Sequence, residues 1–286
     1  MSRLSIVIPT FNTGAMTLRA VQRTGDADEV IVVDDGSTDD TAALLAREAP
    51  HVRVIQKANG GFASAANAGV REATGDFVLL LNSDAMLEVD ALQAFRAAFE
   101  RDAKLGVAGA QLLDEDGTRQ WSGGQTPTLA WIAAVVSGAG HLARRFRRGG
   151  ENAPRAIDWV SGAAMAFRRE VWQQAGPLNE RYLFYCQDLE FCLRARDAGW
   201  RVDVIEDARV KHAMGATIAA GSALRHDPAR LWPDLLTWGR GRYGIAWALF
   251  ARMVLVVVAT LRIAFTALRG KETRALRRGL YALMVR

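Results

Sequence analysis

Asn82, Ser83 and Asp84 end an apolar run, Phe77–Leu81, that shows almost no polar alternation. A strand buried on both faces of a parallel sheet reads this way. In open α/β sheets, ligands sit just beyond the carboxyl ends of the strands. The run therefore delivers a carboxylate to the place where such a sheet does its chemistry. Asn82 and Asp84 are two apart and point the same way from an extended backbone. A short acidic turn of this kind can hold a hard divalent cation that also touches a diphosphate. Two further strand ends carry polar residues: Thr10 and Asn12 after Leu4–Pro9, and Asp34 and Asp35 after Glu29–Val33. A parallel sheet sets all three ends on one edge. A carboxylate at the second can accept hydrogen bonds from a base or ribose, and the Gly60-Gly61 turn lets backbone N–H groups approach a phosphate at a helix start.

A second carboxylate lies far along the chain. Asp188 opens a helix expected to run to Ala198, with Glu190 in its first turn. The helix dipole favours negative charge there, while burial beneath a substrate would raise the carboxyl pKa. An ionised carboxylate at the lip of a cleft can accept a proton from a hydroxyl; the same residue also serves as a plain helix cap. His212 ends a short strand and reads either as a structural histidine or as a ligand.

The elements that must position these residues follow a strand–helix–strand rhythm. Helices are expected over Met16–Arg23, Asp40–Glu48 (capped by Ser37 or Asp39) and Phe62–Ala73 (closed by Gly75), with a third strand at Val52–Ile55. Residues 1–104 thus form a nucleotide-binding α/β half. Residues 105–225 read differently: a helix at Asp90–Glu100 leads into them, and Leu105–Leu113 pairs in a hairpin with Thr118–Trp121. A loop or helical excursion spans Gln125–Pro154, a strand Trp159–Phe167, a helix Arg169–Ala175, and short strands Trp200–Val204 and Ala208–Lys211. The small residues of WVSGAAMAF leave room for something to lie against that strand.

The net charge of +5 lies mostly in the second half, in Arg144, Arg145, Arg147 and Arg148 and again in Arg269, Lys271, Arg274, Arg277, Arg278 and Arg286. Such patches suit phosphate-bearing partners. They lack the interleaved aromatics of a nucleic-acid binder. Two cysteines and no apolar leader fit a reducing cytoplasm. Residues 226–286 read as a helical extension. Within it Tyr243–Leu268 is apolar but interrupted by Arg252 and Arg262, so no unbroken run reaches the ~20 residues of a spanning helix. An in-plane helix on the anionic inner face of the cytoplasmic membrane is expected; packing on the catalytic domain or in a homodimer, and a tilted span, are the alternatives. There is no G-x-G-x-x-G after the first strand and no G-x-x-x-x-G-K-[ST]. A sugar-phosphate nucleotidyltransferase should carry cations in a Gly-rich loop after that strand, where this chain has Thr10-Phe11-Asn12-Thr13-Gly14.

The ordered set IVIPTFN, VVDDGSTDDT, NGGFASAANAGVREATGD, LLLNSDA, WVSGAAMAFRREVWQQAGPLNERY and CQDLEFCLRARDAGW resembles the inverting family 2 glycosyltransferases over residues 4–215. Within them it is most similar to bacterial rhamnosyltransferases of cell-envelope polysaccharide assembly. The resemblance implies the GT-A fold, an α/β class with a mixed, mostly parallel sheet flanked by helices, here over residues 1–225. It implies a nucleoside-diphosphate sugar donor (dTDP, UDP or GDP linked), a saccharide or lipid-linked saccharide acceptor, and Mg²⁺ or Mn²⁺. Asp35 would contact the nucleobase, with Pro9, Thr10 and Asn12 lining the pocket and Gly61, Asn67 and Ser83 near the nucleotide. Asn82-Ser83-Asp84 stands where the family has D-x-D, with Asp84 as metal ligand, and His212 falls at a ligand to metal or diphosphate. Asp188 would be the general base of a single inverting displacement, within an acceptor half over residues 105–225 in which Trp159, Ser161, Gly162 and Glu190 would line the acceptor side. Asn82 and Gln187 depart from acidic residues of the pattern; both are also what a scaffold that had lost catalysis would carry.

Overall fold

The structure, a computed structural model, describes residues 2–139, 157–213 and 227–285. The arginine cluster at 144–148 and Arg286 lie outside these residues. The first half alternates β1 (Leu4–Thr10), α1 (Gly14–Val21), β2 (Glu29–Asp34), α2 (Thr41–Glu48), β3 (Arg53–Gln56), α3 (Phe62–Glu72) and β4 (Phe77–Leu81). Ile6 and Ile8 of β1, with Leu79 and Leu81 of β4, face one apolar core; Val7, Val78 and Leu80 face another. Both faces of the sheet are therefore covered, which is why these strands lack alternation. Each such side chain contributes about 1.5–3 kcal/mol of burial.

The second half adds β5 (Ala85–Leu87), α4 (Ala91–Arg101), β6 (Leu105–Leu113), β7 (Gly123–Gly124), α5 (Leu129–Ser137), β8 (Trp159–Val160), β9 (Ala164–Arg168), α6 (Arg169–Ala175), α7 (Gln187–Asp197) and β10 (Arg201–His212). Among the described residues the main sheet runs β3-β2-β1-β4-β9-β6-β10-β5. β3, β2, β1 and β4 are parallel; β9 is antiparallel to both β4 and β6, and β5 is antiparallel to β10. The sheet is thus mixed and mostly parallel, as expected.

Several local expectations change. WVSGAAMAF is not one strand: Ser161, Gly162 and Ala163 turn between β8, which pairs with β7, and β9, which enters the main sheet. The two strands expected between Trp200 and Lys211 are one, because a register shift between Ile205 and Arg209 absorbs the charged residues between them. The hairpin partner Thr118–Trp121 meets β6 at one bridge, Leu113–Arg119. Gly75 does not close α3, which ends at an extended Ala73. It is required by close approach, since a Cβ there would lie 2.7 Å from the Ser5 nitrogen. Asp39, not Ser37, braces the start of α2, accepting from the Thr41 N–H at 3.1 Å.

The chain divides into two compact units. The α/β unit holds residues to Gln125, Ile157–Arg181, and α7 with β10. The helical unit holds α5, Tyr182–Cys186, and α8 (Pro228–Tyr243), α9 (Ile245–Leu268) and α10 (Arg274–Val285). In the helical unit Asp234 accepts from the N–H groups of Leu183, Phe184 and Tyr185 at 2.9, 3.0 and 2.8 Å. Arg262 of α9 donates to the Val136 carbonyl of α5 at 2.8 Å, and its burial lowers the guanidinium pKa. α9 buries Ala248, Ala251, Leu255 and Ala259 while Leu249, Met253, Val257 and Leu261 stay exposed, so it is apolar on both sides. Despite its two arginines it is long and apolar enough to cross a membrane by length and composition.

Candidate active site

The ends of β2, β1 and β4 are adjacent because those strands are neighbours, and polar side chains stitch them together. Thr10 shares hydrogen bonds with Thr13 and Thr17 at 2.8 and 2.7 Å, and the Thr13 hydroxyl donates to Ser83 at 3.1 Å. Asn12, at a φ of 52°, donates its N–H to Ser37 and accepts from the Thr38 N–H at 2.7 Å. Pro9 is buried within β1, opposite Val33. Asp35 accepts from Lys57 Nζ at 2.7 Å, from the Gly60 N–H at 3.0 Å and from the Gly61 N–H at 2.7 Å. In this conformation the two glycine N–H groups are taken up by Asp35 and do not face outward toward a phosphate. Gly61, at a φ of 84°, makes that turn possible. Lys57, a lone cation at the end of β3, carried no motif that would have singled it out.

Asp84 and His212 meet by register. β5 starts one residue after Asp84, and its Ala85 pairs with His212. His212 Nε2 lies 3.4 Å from Asp84 Oδ1, with the Ala213 N–H donating to the Asp84 carbonyl. The other ring nitrogen, Nδ1, is 3.2 Å from Gln120 Oε1. Gln120 had no sequence signal, because its role depends on a pairing across the sheet.

Asp188 joins the same rim through the β8–β9 turn. The Asn82 N–H donates to the Ala163 carbonyl at 2.9 Å, and the Gly162 N–H donates to Asp188 Oδ2 at 2.8 Å. Oδ1 accepts from the Leu189 N–H at 2.8 Å. Asp188 is the second residue of α7, so it is not a simple cap. Burial pushes its carboxyl pKa up; the N–H donors of Gly162 and Leu189 oppose that shift. A Cβ on Gly162 would stand 3.3 Å from Asp188 Cβ, so the small residue lets the carboxylate reach the turn.

Other expected residues have different partners. Asn67 is 1% exposed, and its amide pins the segment after α6: it donates to the Leu178 carbonyl and Glu180, and accepts from the Leu178 N–H. Its side chain is thus engaged on both its oxygen and its nitrogen within the α/β unit. Glu190 pairs with Arg194 at 2.9 Å on its own helix. Trp159 packs edge-to-face on Trp121 at 4.8 Å and donates to the Gln125 carbonyl. Ser161 accepts from the Ala163 N–H at 3.3 Å, inside the turn.

The donor set fits a divalent cation that shares its coordination with a ligand. Among the described residues no three His, Cys, Asp or Glu groups converge. Asp84 and His212 supply one carboxylate and one imidazole, with Asn82 two residues away. A carboxylate suits Mg²⁺ and Mn²⁺, and such ions commonly complete their shells with substrate phosphates and water.

The chain is 27% identical to the N-acetylglucosaminyl-diphospho-decaprenol L-rhamnosyltransferase of Mycobacterium tuberculosis, over 88% of this chain and 91% of that one. It is 25% identical to the O-antigen chain rhamnosyltransferase WbaN of Salmonella anatum, over 76% and 68%. Its fold is similar to the mannosyltransferase PcManGT of Pyrobaculum calidifontis, solved with GDP-Man and Mn²⁺, with a TM-score of 0.59, 18% identity, and coverage of 99% and 85%. The fold class is that of these GT-A glycosyltransferases. The description "Glycosyl transferase family 2" matches residues 5–175, more than half of the chain. The protein therefore belongs to glycosyl transferase family 2 and is a glycosyltransferase.

Proposed function

We propose that the protein moves a sugar, rhamnose first among candidates, from a nucleoside-diphosphate donor to a hydroxyl of a lipid-linked saccharide, inverting the anomeric centre in one step. The observation that carries this is the rim on which Asp188, held by the Gly162 N–H, is tied through the neighbouring Ala163 carbonyl to Asn82, two residues from Asp84. Asp188 takes the proton of the acceptor hydroxyl. The hydroxyl oxygen then bonds to the anomeric carbon as the bond to the diphosphate oxygen breaks, and the electron pair leaves with the diphosphate. Asp84 and His212, with Asn82, would hold a divalent cation, which when bound neutralises the departing diphosphate. Asp35 would receive a nucleobase N–H by exchanging one of its present donors, since Lys57, Gly60 and Gly61 already engage both of its oxygens. The names of the mycobacterial and Salmonella relatives support rhamnose, and the former supports a lipid diphosphate acceptor.

A lipid-linked acceptor calls for a membrane surface, and the helical unit suits one. The exposed apolar face of α9 is followed by Arg269, Lys271, Arg274, Arg277 and Arg278, against the single acidic Glu272. Apolar surface beside basic residues is the pattern of a helix seated on anionic lipid. The reading places the protein on the inner face of the cytoplasmic membrane.

The test is a donor panel with Mn²⁺, read by released nucleoside diphosphate. Turnover with deoxythymidine-diphosphate rhamnose and a polyprenyl-diphosphate saccharide supports the reading. Turnover confined to another sugar removes rhamnose. A retained anomeric configuration in the product removes the single displacement.

A further inference from the structure

We propose that Gln120 is a positioning residue that fixes the tautomer of His212 and aims its Nε2 at Asp84. Gln120 is 8% exposed and follows β6, linking that strand to the end of β10. Its Nε2 faces three acceptors: the His212 carbonyl at 2.6 Å, Asp114 Oδ1 at 2.8 Å and the Leu113 carbonyl at 3.3 Å. A flipped amide would turn its oxygen toward those three oxygens and leave a buried acceptor unpaired. The network therefore fixes the amide orientation. Oε1 must then be the atom beside His212 Nδ1, and because it can only accept, Nδ1 must carry the proton. In the neutral ring Nε2 is left with its lone pair, 3.4 Å from a carboxylate oxygen. In that neutral tautomer the lone pair would face Asp84 Oδ1, a contact that a bound cation would relieve.

Gln120 also grips His212 at the main-chain carbonyl, so one side chain fixes both the backbone and the ring. Partners that hold the second nitrogen of a ligating histidine set its direction and basicity. This inference uses the metal reading of Asp84 and His212 for its consequence, but the tautomer assignment stands on the hydrogen bonds alone.

The experiment records ¹⁵N–¹H correlations of the histidine rings in alkaline buffer, with His212→Ala used to assign the signal. Wild-type protein should show a protonated Nδ1 and a bare Nε2; a protonated Nε2 overturns the proposal without any variant. Gln120→Met, with folding checked by circular dichroism, should lose that signature. It should also weaken Mn²⁺ binding, measured by electron paramagnetic resonance, by about 10- to 100-fold. A folded Gln120→Met with wild-type ring signals and wild-type Mn²⁺ affinity reduces Gln120 to a tie between strands and overturns the proposal. If His212→Ala itself binds Mn²⁺ as tightly as wild type, the metal reading fails, and the ring signals alone decide whether Gln120 holds the imidazole.

Discussion

In the α/β unit Thr10, Asp34, Asp35, Ser83 and Asp84 are all buried, whereas on α9 of the helical unit Leu249, Phe250, Met253 and Val257 are exposed. The first unit draws polar groups inside, where hydrogen bonds hold most of them; the second leaves apolar groups outside with none. Buried polar groups are costly unless paired, so the first arrangement signals a preorganised site. Exposed apolar patches mark interaction surfaces, so the second signals a surface that meets a partner.

The sharpest way to break this contrast is at Asp188. Asp188→Asn should lower kcat by about 10²–10⁴-fold in a released-nucleotide assay; turnover near wild type would make the carboxylate purely structural. The same carboxyl should set the acid limb of the pH–rate profile. The working form is ionised and burial raises the pKa, so activity is lost as pH falls through a midpoint above the ordinary 3.8. Ionisation of this group also costs folded-state stability, since the folded protein holds the proton more tightly; that contribution falls as pH climbs from 3.8 to the raised value and is constant above it. Asp84→Ala should cost about 10²–10³-fold in kcat, the usual size of a lost electrostatic stabiliser, and the loss should not be recovered by excess Mn²⁺.

Next in size is the proposed membrane face. Arg277→Gln with Arg278→Gln should weaken binding to vesicles containing anionic lipid by about 2 kcal/mol, roughly 30-fold, at about 1 kcal/mol per basic residue. Binding that is indifferent to lipid charge, with a dimer by light scattering, would assign the apolar face to a second copy. The smallest effect is expected at Asn67. Asn67→Ala should cost about 1–3 kcal/mol in urea unfolding, because Leu178 is left with unpaired groups, with nucleotide affinity unchanged. Lost nucleotide affinity at full stability would restore the donor role.

The strands of the first half were legible because burial on both faces leaves an unmistakable apolar run, and the polar ends of β1, β2 and β4 follow from parallel order. Asp188 was legible as an acid at a helix start; its grip on Gly162 was not, since the turn at 161–163 breaks what reads as one strand. Gln120 and Lys57 were hidden for a shared reason: each acts on a residue that only sheet pairing brings near. α5 was legible only as one of two readings, loop or helical excursion, because Leu129–Ser137 is short and apolar without the polar face that marks an amphipathic helix.

β9 occupies the gap between β4 and β6, pairing Leu81 with Ala164 and Val107 with Phe167. During synthesis β4 and β6 emerge long before their shared neighbour. The edge they present is an unpaired, apolar template until Arg168 has left the ribosome, and such edges invite association with other chains. Fragments ending between Leu113 and Ala164 should therefore aggregate.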